Sequence, residues 1–363
     1  MSAPDDRPPA AQRVLFMART GSVRGLQDIL RDRAQTAVFS PDRAKDPTLE
    51  GYRRFGWSEL WRLRRELRAG AYDLVVCHAP AEGLARPHGF FFKRGLTTAK
   101  KWLLNFASLG PGLVPWLLRG TGVPLVVYEW DDTTVIQRKH WGLLEACTAY
   151  FKINCPPNTY KAFLFQGARN GDVFNIVRQP QLKAWAGKIR PISLGTPDTE
   201  LLRSCRGTAK TADVFFAGAL KYTRVREEGL PLLRRLEAEG FRVDLPEDRL
   251  EPAEFYRRLA GAWLAWAPEG ADWDTHRAYE AAMVGTVPLL NYPTIRRFQP
   301  LENGVHAFHY GVEGDGLLQV ARHALENKDR LAEMARAAQA HVERYHTHAK
   351  LADQLLAAGR RLG

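Results

Sequence analysis

The segment 273–290, WDTHRAYEAAMVGTVPLL, places an arginine where a helix normally disfavours one. The pattern predicts a helix that is capped by Asp274 or Thr275 and stops at Gly285, with Arg277 in its first turn. Because a helix N-terminus carries partial positive charge, a cation there costs roughly 0.3 kcal/mol or more. A bound phosphate would offset this cost, because both the guanidinium and the free N–H groups attract anions.

Glu280 follows Arg277 by three residues and therefore shares its helix face. A guanidinium offers a fork of donors suited to a diphosphate. A carboxylate one turn further can accept hydrogen bonds from the two hydroxyls of a ribose. The pair thus fits a nucleotide, and the alternative is an Arg277–Glu280 surface ion pair worth less than about 1 kcal/mol. The spacing alone leaves both interpretations open.

A second segment suited to phosphate precedes this one. FFAGALKYTRVREEG, 215–229, contains a strand end, a glycine and a basic turn that opens a helix. Gly218 permits close approach to the backbone, and Lys221, Arg224 and Arg226 supply positive charge. Each charge taken singly could be a solvated surface residue. Because both segments follow strands of the same half, we expect their loops to converge.

Short apolar runs of strand length alternate with helical stretches along the whole chain. In the first half these runs are residues 13–18, 72–79, 123–130, 150–155 and 190–195. After a polar, turn-rich stretch, the second half contains residues 212–219, 241–246, 262–268, 286–291 and 306–311. Continuous apolar runs are typical of parallel strands buried on both faces. The order predicts an α/β fold with two Rossmann-like domains that face each other across a cleft.

Composition narrows the class of ligand. The chain of 363 residues carries a net charge of +12, which favours an anionic partner such as a nucleotide, a nucleic acid or a lipid surface. The charge is not concentrated in one helix or tail and no nucleic-acid-binding motif is present, so we expect no nucleic acid. The four cysteines show no CxxC spacing, which favours reduced thiols and a cytoplasmic protein.

The stretch APEGADWDTHRAYEAAMVGTVPLL contains P-x-G, then R-x-x-E-A, then G-x-x-P. With these motifs, residues 212–311 resemble the nucleotide-sugar-binding domain of GT-B glycosyltransferases, of the exostosin-like and group 1 types. The resemblance implies that Glu280 binds the donor ribose and that Arg277 lies near the donor phosphates. The group 1 pattern is E-x7-E, whereas Asp272 gives D-x7-E here and Glu269 competes for that role. The predicted donor-binding residues are Glu280, Arg277, Arg224, Arg226, Gly218, Lys221, Glu269, Asp272 and Thr275.

The resemblance also divides the chain by function. We expect residues 1–12 to form a disordered leader and residues 13–200 to form a domain that binds the acceptor. Residues 201–340 would bind the nucleotide sugar, and residues 341–363 would form a terminal helix that can pack back on the first domain. The predicted activity is transfer of a sugar from a nucleotide sugar to a glycan or lipid-linked acceptor. The alternatives are a nucleotide-sugar epimerase of the same architecture and a non-enzymatic nucleic-acid-binding or sugar-nucleotide-binding protein.

The acceptor side is predicted at VVYEWDDTTVIQRKHW, 126–141, where acids follow a strand. If the reaction inverts the anomeric carbon, a carboxylate or histidine should take the proton of the acceptor hydroxyl, and Asp131 or Asp132 is the preferred base. Either acid could instead cap the next helix. Further acceptor-side candidates are Gly21, Gly25, His78 and Glu129.

These same acids could hold a divalent metal, as in the DxD type of glycosyltransferase. The basic loops of the second half would neutralise a diphosphate without one, so we expect no metal and no cofactor.

The uncharged stretch WLLNFASLGPGLVPWLL, 102–118, is interrupted by glycines and prolines and is shorter than the about 20 apolar residues of a spanning helix. Basic residues flank it. Residues 90–119 therefore suit docking at the inner face of the cytoplasmic membrane, or else a buried helix pair of the first domain. Docking would favour a lipid-linked acceptor and a role in bacterial surface polysaccharide synthesis.

Overall fold

Two parallel sheets, each covered by helices, make up the computed structural model of the chain. The structure describes residues 12–17, 30, 33–40, 52–54, 57–79, 110–130, 133–137, 140–163, 180–220, 223–270 and 273–360. The predicted α/β class with two Rossmann-like units is confirmed.

Within these residues the first sheet has the strand order β3-β2-β1-β4-β5-β6-β7, and every neighbouring pair is parallel. Its strands are β1 (Arg13–Met17), β2 (Gln35–Ser40), β3 (Tyr52–Arg54), β4 (Leu74–Ala79), β5 (Leu125–Glu129), β6 (Ala149–Lys152) and β7 (Ile189–Pro191). The helices of this half are α1 (Trp57–Arg68), α2 (Gly110–Leu118), α3 (Trp141–Ala146) and α4 (Pro180–Ala186), with a 3-10 helix at Thr159–Phe163.

The second sheet has the order β12-β11-β10-β8-β9 and is also parallel. Its strands are β8 (Ala212–Phe215), β9 (Val243–Asp244), β10 (Ala262–Trp266), β11 (Val287–Asn291) and β12 (Phe308–Tyr310). The helices that follow β7 are α5 (Glu200–Ser204), α6 (Arg224–Ala238), α7 (Pro252–Ala260), α8 (His276–Met283), α9 (Gly316–Leu325), α10 (Lys328–Tyr345) and α11 (His348–Arg360).

Burial explains why the sequence shows the central strands so clearly. Every residue of β4, LVVCHA, and of β5, LVVYE, is buried, because helices cover both faces of the sheet. The strands β2 and β3 were not predicted. Strand β3 is the edge strand of the sheet and β2 lies next to it, and their sequences, YRR and QTAVFS, mix apolar with polar residues. Because an edge strand has a neighbouring strand on one side only, fewer of its positions need an apolar residue.

The last helix leaves the second sheet and lies against the first. Leu351, Leu355 and Leu356 of α11 share one apolar core with Val126 and Tyr128 of β5. The chain therefore crosses between the two halves at its end, while the proposed domain boundaries stay predictions.

Side-chain and backbone hydrogen bonds tie the two halves together beside the linker, which is the segment between the end of β7 and the start of α5. The backbone N–H of Leu194 donates to the Asp274 carboxylate at 2.9 Å, and His276 Nδ1 lies 2.8 Å from the Gly195 carbonyl oxygen. The N–H of Arg296 donates to the Cys155 carbonyl at 2.7 Å. The start of α8 is thus fixed to the segment that leaves the first sheet.

The uncharged stretch 102–118 is described from residue 110 onward, and its last part belongs to the core of the first half. Val114 and Leu117 are fully buried, and the Trp116 ring packs edge-on against Trp61 at 5.3 Å. In this part of the chain the buried-helix interpretation holds. Across all the described residues, none of the helices combines the length and apolar character that a bilayer span requires.

Candidate functional site

The start of α8 follows the predicted capping pattern. The Thr275 hydroxyl oxygen accepts a hydrogen bond from the Arg277 backbone N–H at 3.4 Å, so Thr275 is the N-cap. Asp274 has a different role. Its side chain is 3% exposed, and its carboxylate accepts from Leu194 N and from the Tyr279 hydroxyl at 3.0 Å. At the other end Gly285 has a φ of 80°, as a stop glycine requires.

The Arg277 guanidinium lies in a narrow space between two loops and two aromatic rings. Its Cζ atom is 5.6 Å from the ring centre of Phe216 and 5.8 Å from that of Phe255. A Cβ added at Gly218 would lie 2.7 Å from Nη1, so only glycine leaves room for this arrangement. Gly218 therefore permits the close approach of a side chain of the protein itself, and its contact with a bound donor stays a prediction.

No described carboxylate forms an ion pair with Arg277. Its buried Nε atom has no hydrogen-bond partner among the described residues, and none of their carboxylates lies within 4.0 Å of its guanidinium nitrogens. Burial lowers the pKa of Arg277 to about 10, against an opposing effect from the Glu280 charge. The alternative of a surface ion pair between Arg277 and Glu280 does not match this geometry. The guanidinium is instead a partly buried charge with which an external anion could pair.

Glu280 is partly buried one turn further along α8. Its Oε1 atom accepts a hydrogen bond from the Tyr256 hydroxyl of α7 at 3.0 Å. No described residue donates to Oε2 within hydrogen-bond distance. One oxygen of the carboxylate is therefore held in place and the other remains available to a ligand.

Arg226 of α6 contacts both the loop that follows β8 and the loop that follows β10. Its Nη1 donates to the Ala219 carbonyl at 2.9 Å, and its Nε donates to the Glu269 carbonyl at 3.1 Å. A Cβ at Gly270 would lie 2.5 Å from Nη2. The loops that follow β8 and β10 thus converge through two reciprocal arginine–glycine contacts. Since the guanidinium of Arg226 is engaged by carbonyl groups, its phosphate-binding role remains a prediction.

The remaining donor-side candidates lie in different environments. The Glu269 carboxylate accepts from Asn291 Nδ2 at 3.0 Å, and the Glu269 N–H donates to Asn291 Oδ1 at 2.9 Å. Arg224 is exposed, with Glu228 at 3.9 Å. Lys221 and Asp272 lie outside the described residues, so the structure does not choose between Asp272 and Glu269.

On the acceptor side, Glu129 is fully buried at the end of β5. Its carboxylate pairs with Lys152 Nζ at 2.7 Å and accepts from the Tyr150 hydroxyl at 2.5 Å. This ion pair is inside the first half rather than on its surface. His78 is also buried, with its ring 4.9 Å from that of Tyr128. The candidates Asp131, Asp132, Gly21 and Gly25 lie outside the described residues.

Several residues of the site were missed from the sequence. Phe216, Phe255, Tyr256 and Asn291 contact the predicted residues. In the sequence the three aromatic residues fit apolar or helix-forming positions, and Asn291 is a single polar residue at the end of a strand. The aromatic pair in PAEFYRRLA is the one available signal, since adjacent residues of a helix point in different directions. Within the described residues, no three His, Cys, Asp or Glu side chains are grouped so that they could hold a metal.

Comparison with known proteins places this geometry in a structural class. The chain is similar to the structure of HepE from Anabaena in complex with UDP, with 16% identity, a TM-score of 0.53, and coverage of 96% of this chain and 100% of that one. It is similar to a glycosyltransferase of Rickettsia africae, with 9% identity, a TM-score of 0.57, and coverage of 97% and 98%. Sucrose-phosphate synthase from Thermosynechococcus elongatus gives 13% identity, a TM-score of 0.52, and coverage of 97% and 99%. The fold is that of GT-B glycosyltransferases.

Residues 248–357 match the glycosyl transferase-like family. This segment contains α7 and α8, and therefore Tyr256, Arg277 and Glu280. A search of curated protein sequences returned no match. The family domain and the fold together support a glycosyltransferase enzyme, as the sequence predicts.

Proposed function

We propose that the protein transfers a sugar from a nucleoside diphosphate sugar, bound by the second half, to a hydroxyl of an acceptor bound by the first half. The observation that carries the proposal is the Arg277 guanidinium at the start of α8, which is partly buried, has a buried Nε atom without a described partner, and forms no ion pair with a described carboxylate. Glu280 lies one turn further with one carboxylate oxygen held by Tyr256. A cation and a carboxylate in this arrangement suit the diphosphate and the ribose of one nucleotide.

The electrostatics favour a diphosphate over a neutral ligand. An unpaired buried charge is costly, and a diphosphate would supply charge-assisted hydrogen bonds to the guanidinium. The free N–H groups at the start of α8 add a second attraction for the same anion. HepE has been solved with UDP and with UDP-glucose, which makes UDP the first nucleotide to test here.

In the reaction, the acceptor oxygen attacks the anomeric carbon while the bond from that carbon to the diphosphate breaks. If the configuration inverts, Asp131 or Asp132 would take the proton of the acceptor hydroxyl. Negative charge grows on the departing diphosphate, where Arg277 and the N-terminus of α8 would stabilise it.

The nucleotide-binding part of the proposal is tested by thermal shift against a panel of nucleoside diphosphates and nucleotide sugars. We expect Arg277→Ala and Glu280→Ala each to lower nucleotide affinity about 10- to 100-fold, because each removes a hydrogen bond to a charged group. The melting temperature of Arg277→Ala without ligand should hardly change, since no described residue depends on the Arg277 guanidinium as a hydrogen-bond donor. Glu280→Ala should lower it slightly, because the Tyr256 hydroxyl loses its acceptor.

The matched controls are Arg234→Ala and Glu237→Ala, an exposed pair on α6 at 2.9 Å, which should leave binding unchanged. Loss of stability without ligand comparable to a core mutation would show that Arg277 and Glu280 are structural. Turnover of the donor sugar without any acceptor would indicate an epimerase instead.

For the acceptor, we propose a glycan or a lipid-linked glycan of a bacterial surface polysaccharide, at the inner face of the cytoplasmic membrane. The support is the basic and aromatic composition of residues 90–119. Since Val114 and Leu117 are buried in the core, contact with lipid would involve the earlier part of this range.

Flotation with anionic and neutral liposomes tests membrane contact. We expect the protein to float with anionic vesicles only, because its charge is +12. Trp102→Ala should weaken flotation, whereas Tyr292→Ala, which removes an exposed aromatic residue of the second half, should not. Flotation that ignores both lipid charge and Trp102 would contradict the docking proposal.

A further inference from the structure

We propose that Tyr256 is a positioning residue that holds Glu280 for the ribose and thereby makes the site select ribonucleotides over 2′-deoxyribonucleotides. This inference depends on the proposed function, because it assigns a partner to the carboxylate that would bind the ribose. The carrying observation is the hydrogen bond of 3.0 Å from the Tyr256 hydroxyl to Glu280 Oε1.

The geometry divides the Glu280 carboxylate between protein and ligand. A carboxylate offers two oxygens that accept hydrogen bonds and donate none. Tyr256 uses Oε1, and no described residue donates to Oε2. A glutamate side chain that is fixed at one oxygen presents the other in one direction, toward any hydroxyl on that side of α8.

Phe255, the neighbour of Tyr256 on α7, contacts Arg277, the residue that we assign to the donor phosphates. The Phe255 ring lies 5.8 Å from Arg277 Cζ and packs edge-on against Phe215 of β8 at 5.7 Å between ring centres. Consecutive residues of α7 therefore hold the two residues of α8 that we assign to the phosphates and the ribose. Such support is what a preorganised site requires.

The Tyr256 hydroxyl remains a donor at neutral pH. Burial, followed by the Glu280 charge, raises the pKa of Tyr256 well above the value of a free tyrosine. The tyrosine therefore donates its proton to the carboxylate in a hydrogen bond without losing it.

The consequence of removing this bond can be separated from a loss of packing. Tyr256→Phe keeps the ring and frees Glu280 to adopt other rotamers. Because the Glu280 side chain must then be ordered again on binding, the affinity for UDP should fall about two- to tenfold. The 2′-deoxy analogue lacks one of the hydroxyls from which Glu280 would accept a hydrogen bond. Its affinity should therefore fall less in Tyr256→Phe than the affinity of UDP does. The affinity ratio of UDP to 2′-deoxy-UDP is therefore the decisive readout, since a general packing defect would weaken both nucleotides alike.

The experiment is titration calorimetry of the full chain with UDP and 2′-deoxy-UDP, or with the matching ADP or GDP pair if the thermal-shift panel selects that base. Wild type, Tyr256→Phe, Glu280→Gln and the double variant form a cycle. The control is Tyr72→Phe in the first half, where the Tyr72 hydroxyl donates to Glu66 Oε2 at 3.3 Å. We expect a ratio that falls toward one in Tyr256→Phe and Glu280→Gln, no further fall in the double variant, and an unchanged ratio in the control.

Two results would overturn the inference while leaving the proposed function intact. In one, Glu280→Gln lowers the ratio and Tyr256→Phe keeps the wild-type ratio. In the other, Tyr256→Phe binds UDP more tightly, because the tyrosine competes with the ribose for the carboxylate. If Glu280→Gln itself changes neither UDP affinity nor the ratio, the assignment of Glu280 to the ribose fails first. Should Tyr256→Phe not fold, Tyr256→Leu, which likewise has no hydrogen-bond donor, is measured by the same ratio and interpreted in the same way.

Discussion

At the scale of single residues, the position of the Arg277 guanidinium depends on the absence of a side chain at Gly218. The guanidinium fits because Gly218, in the loop that follows β8, has no side chain. The sequence predicts both residues to be parts of a phosphate site. It does not predict that they touch, because their contact joins two segments about sixty residues apart whose distance depends on strand order.

Gly218→Ala tests this contact. The added Cβ would lie 2.7 Å from Nη1, so the guanidinium must move from its place. We expect nucleotide affinity to fall about tenfold, with little change in melting temperature, because the displaced group is the flexible end of a side chain. Gly311→Ala is the control, since a Cβ there meets nothing within 4 Å. Equal nucleotide affinity in both variants would show that the position of Arg277 does not matter for binding.

At the scale of elements, strands and site helices differ in how far they can be predicted. The central strands β4, β5, β10 and β11 are predictable because burial on both faces demands continuous apolar sequence. The helix α8 is predictable from its cap at Thr275 and its stop at Gly285. The edge strand β3 and its neighbour β2 were missed because their sequences mix apolar with polar residues.

The contribution of α7 to the site could not be predicted in the same way. Its sequence indicates an amphipathic helix, and Phe255 and Tyr256 fit such a helix as packing residues. Their contacts with Arg277 and Glu280 depend on how α7 and α8 lie side by side on the second sheet. Asp274 shows the same limit: its sequence position suits a cap, but the tertiary structure makes it an anchor for the linker at Leu194.

At the scale of the whole molecule, a buried histidine helps to join the two halves. His346 is fully buried between α10 and α11. Its Nδ1 accepts from the Ser193 hydroxyl of the linker at 2.9 Å, while its Nε2 donates to the Gln299 carbonyl at 2.8 Å. This pattern requires one tautomer of the neutral ring. Burial accordingly lowers the pKa of His346 to about 3.

The lowered pKa predicts a loss of stability in acid. An unfolded histidine binds a proton below about pH 6.5, whereas the folded His346 does so only near its lowered pKa, so the unfolded state holds more protons between these values. Stability should therefore fall as the pH falls from 7 to 5, by about 1.4 kcal/mol per pH unit from this residue once the pH is below about 6.5. Urea unfolding at a series of pH values measures the slope.

His346→Gln should have a smaller slope than wild type, although its stability at pH 7 is lower. His309 and His348, whose pKa values burial lowers to about 4, contribute to the slope in both proteins. Gln319→Ala, which changes an exposed residue of α9 that does not titrate, should keep the wild-type slope. An identical slope in His346→Gln and wild type would mean that this residue titrates alike in both states.

A structure of the protein with UDP bound tests most directly whether the start of α8 is the donor site. We expect the diphosphate within hydrogen-bond distance of the Arg277 guanidinium and of the first backbone N–H groups of α8, with a ribose hydroxyl on Glu280 Oε2. A nucleotide bound away from these two side chains, with the guanidinium still unpaired between Phe216 and Phe255, would contradict the assignment of α8 to the donor.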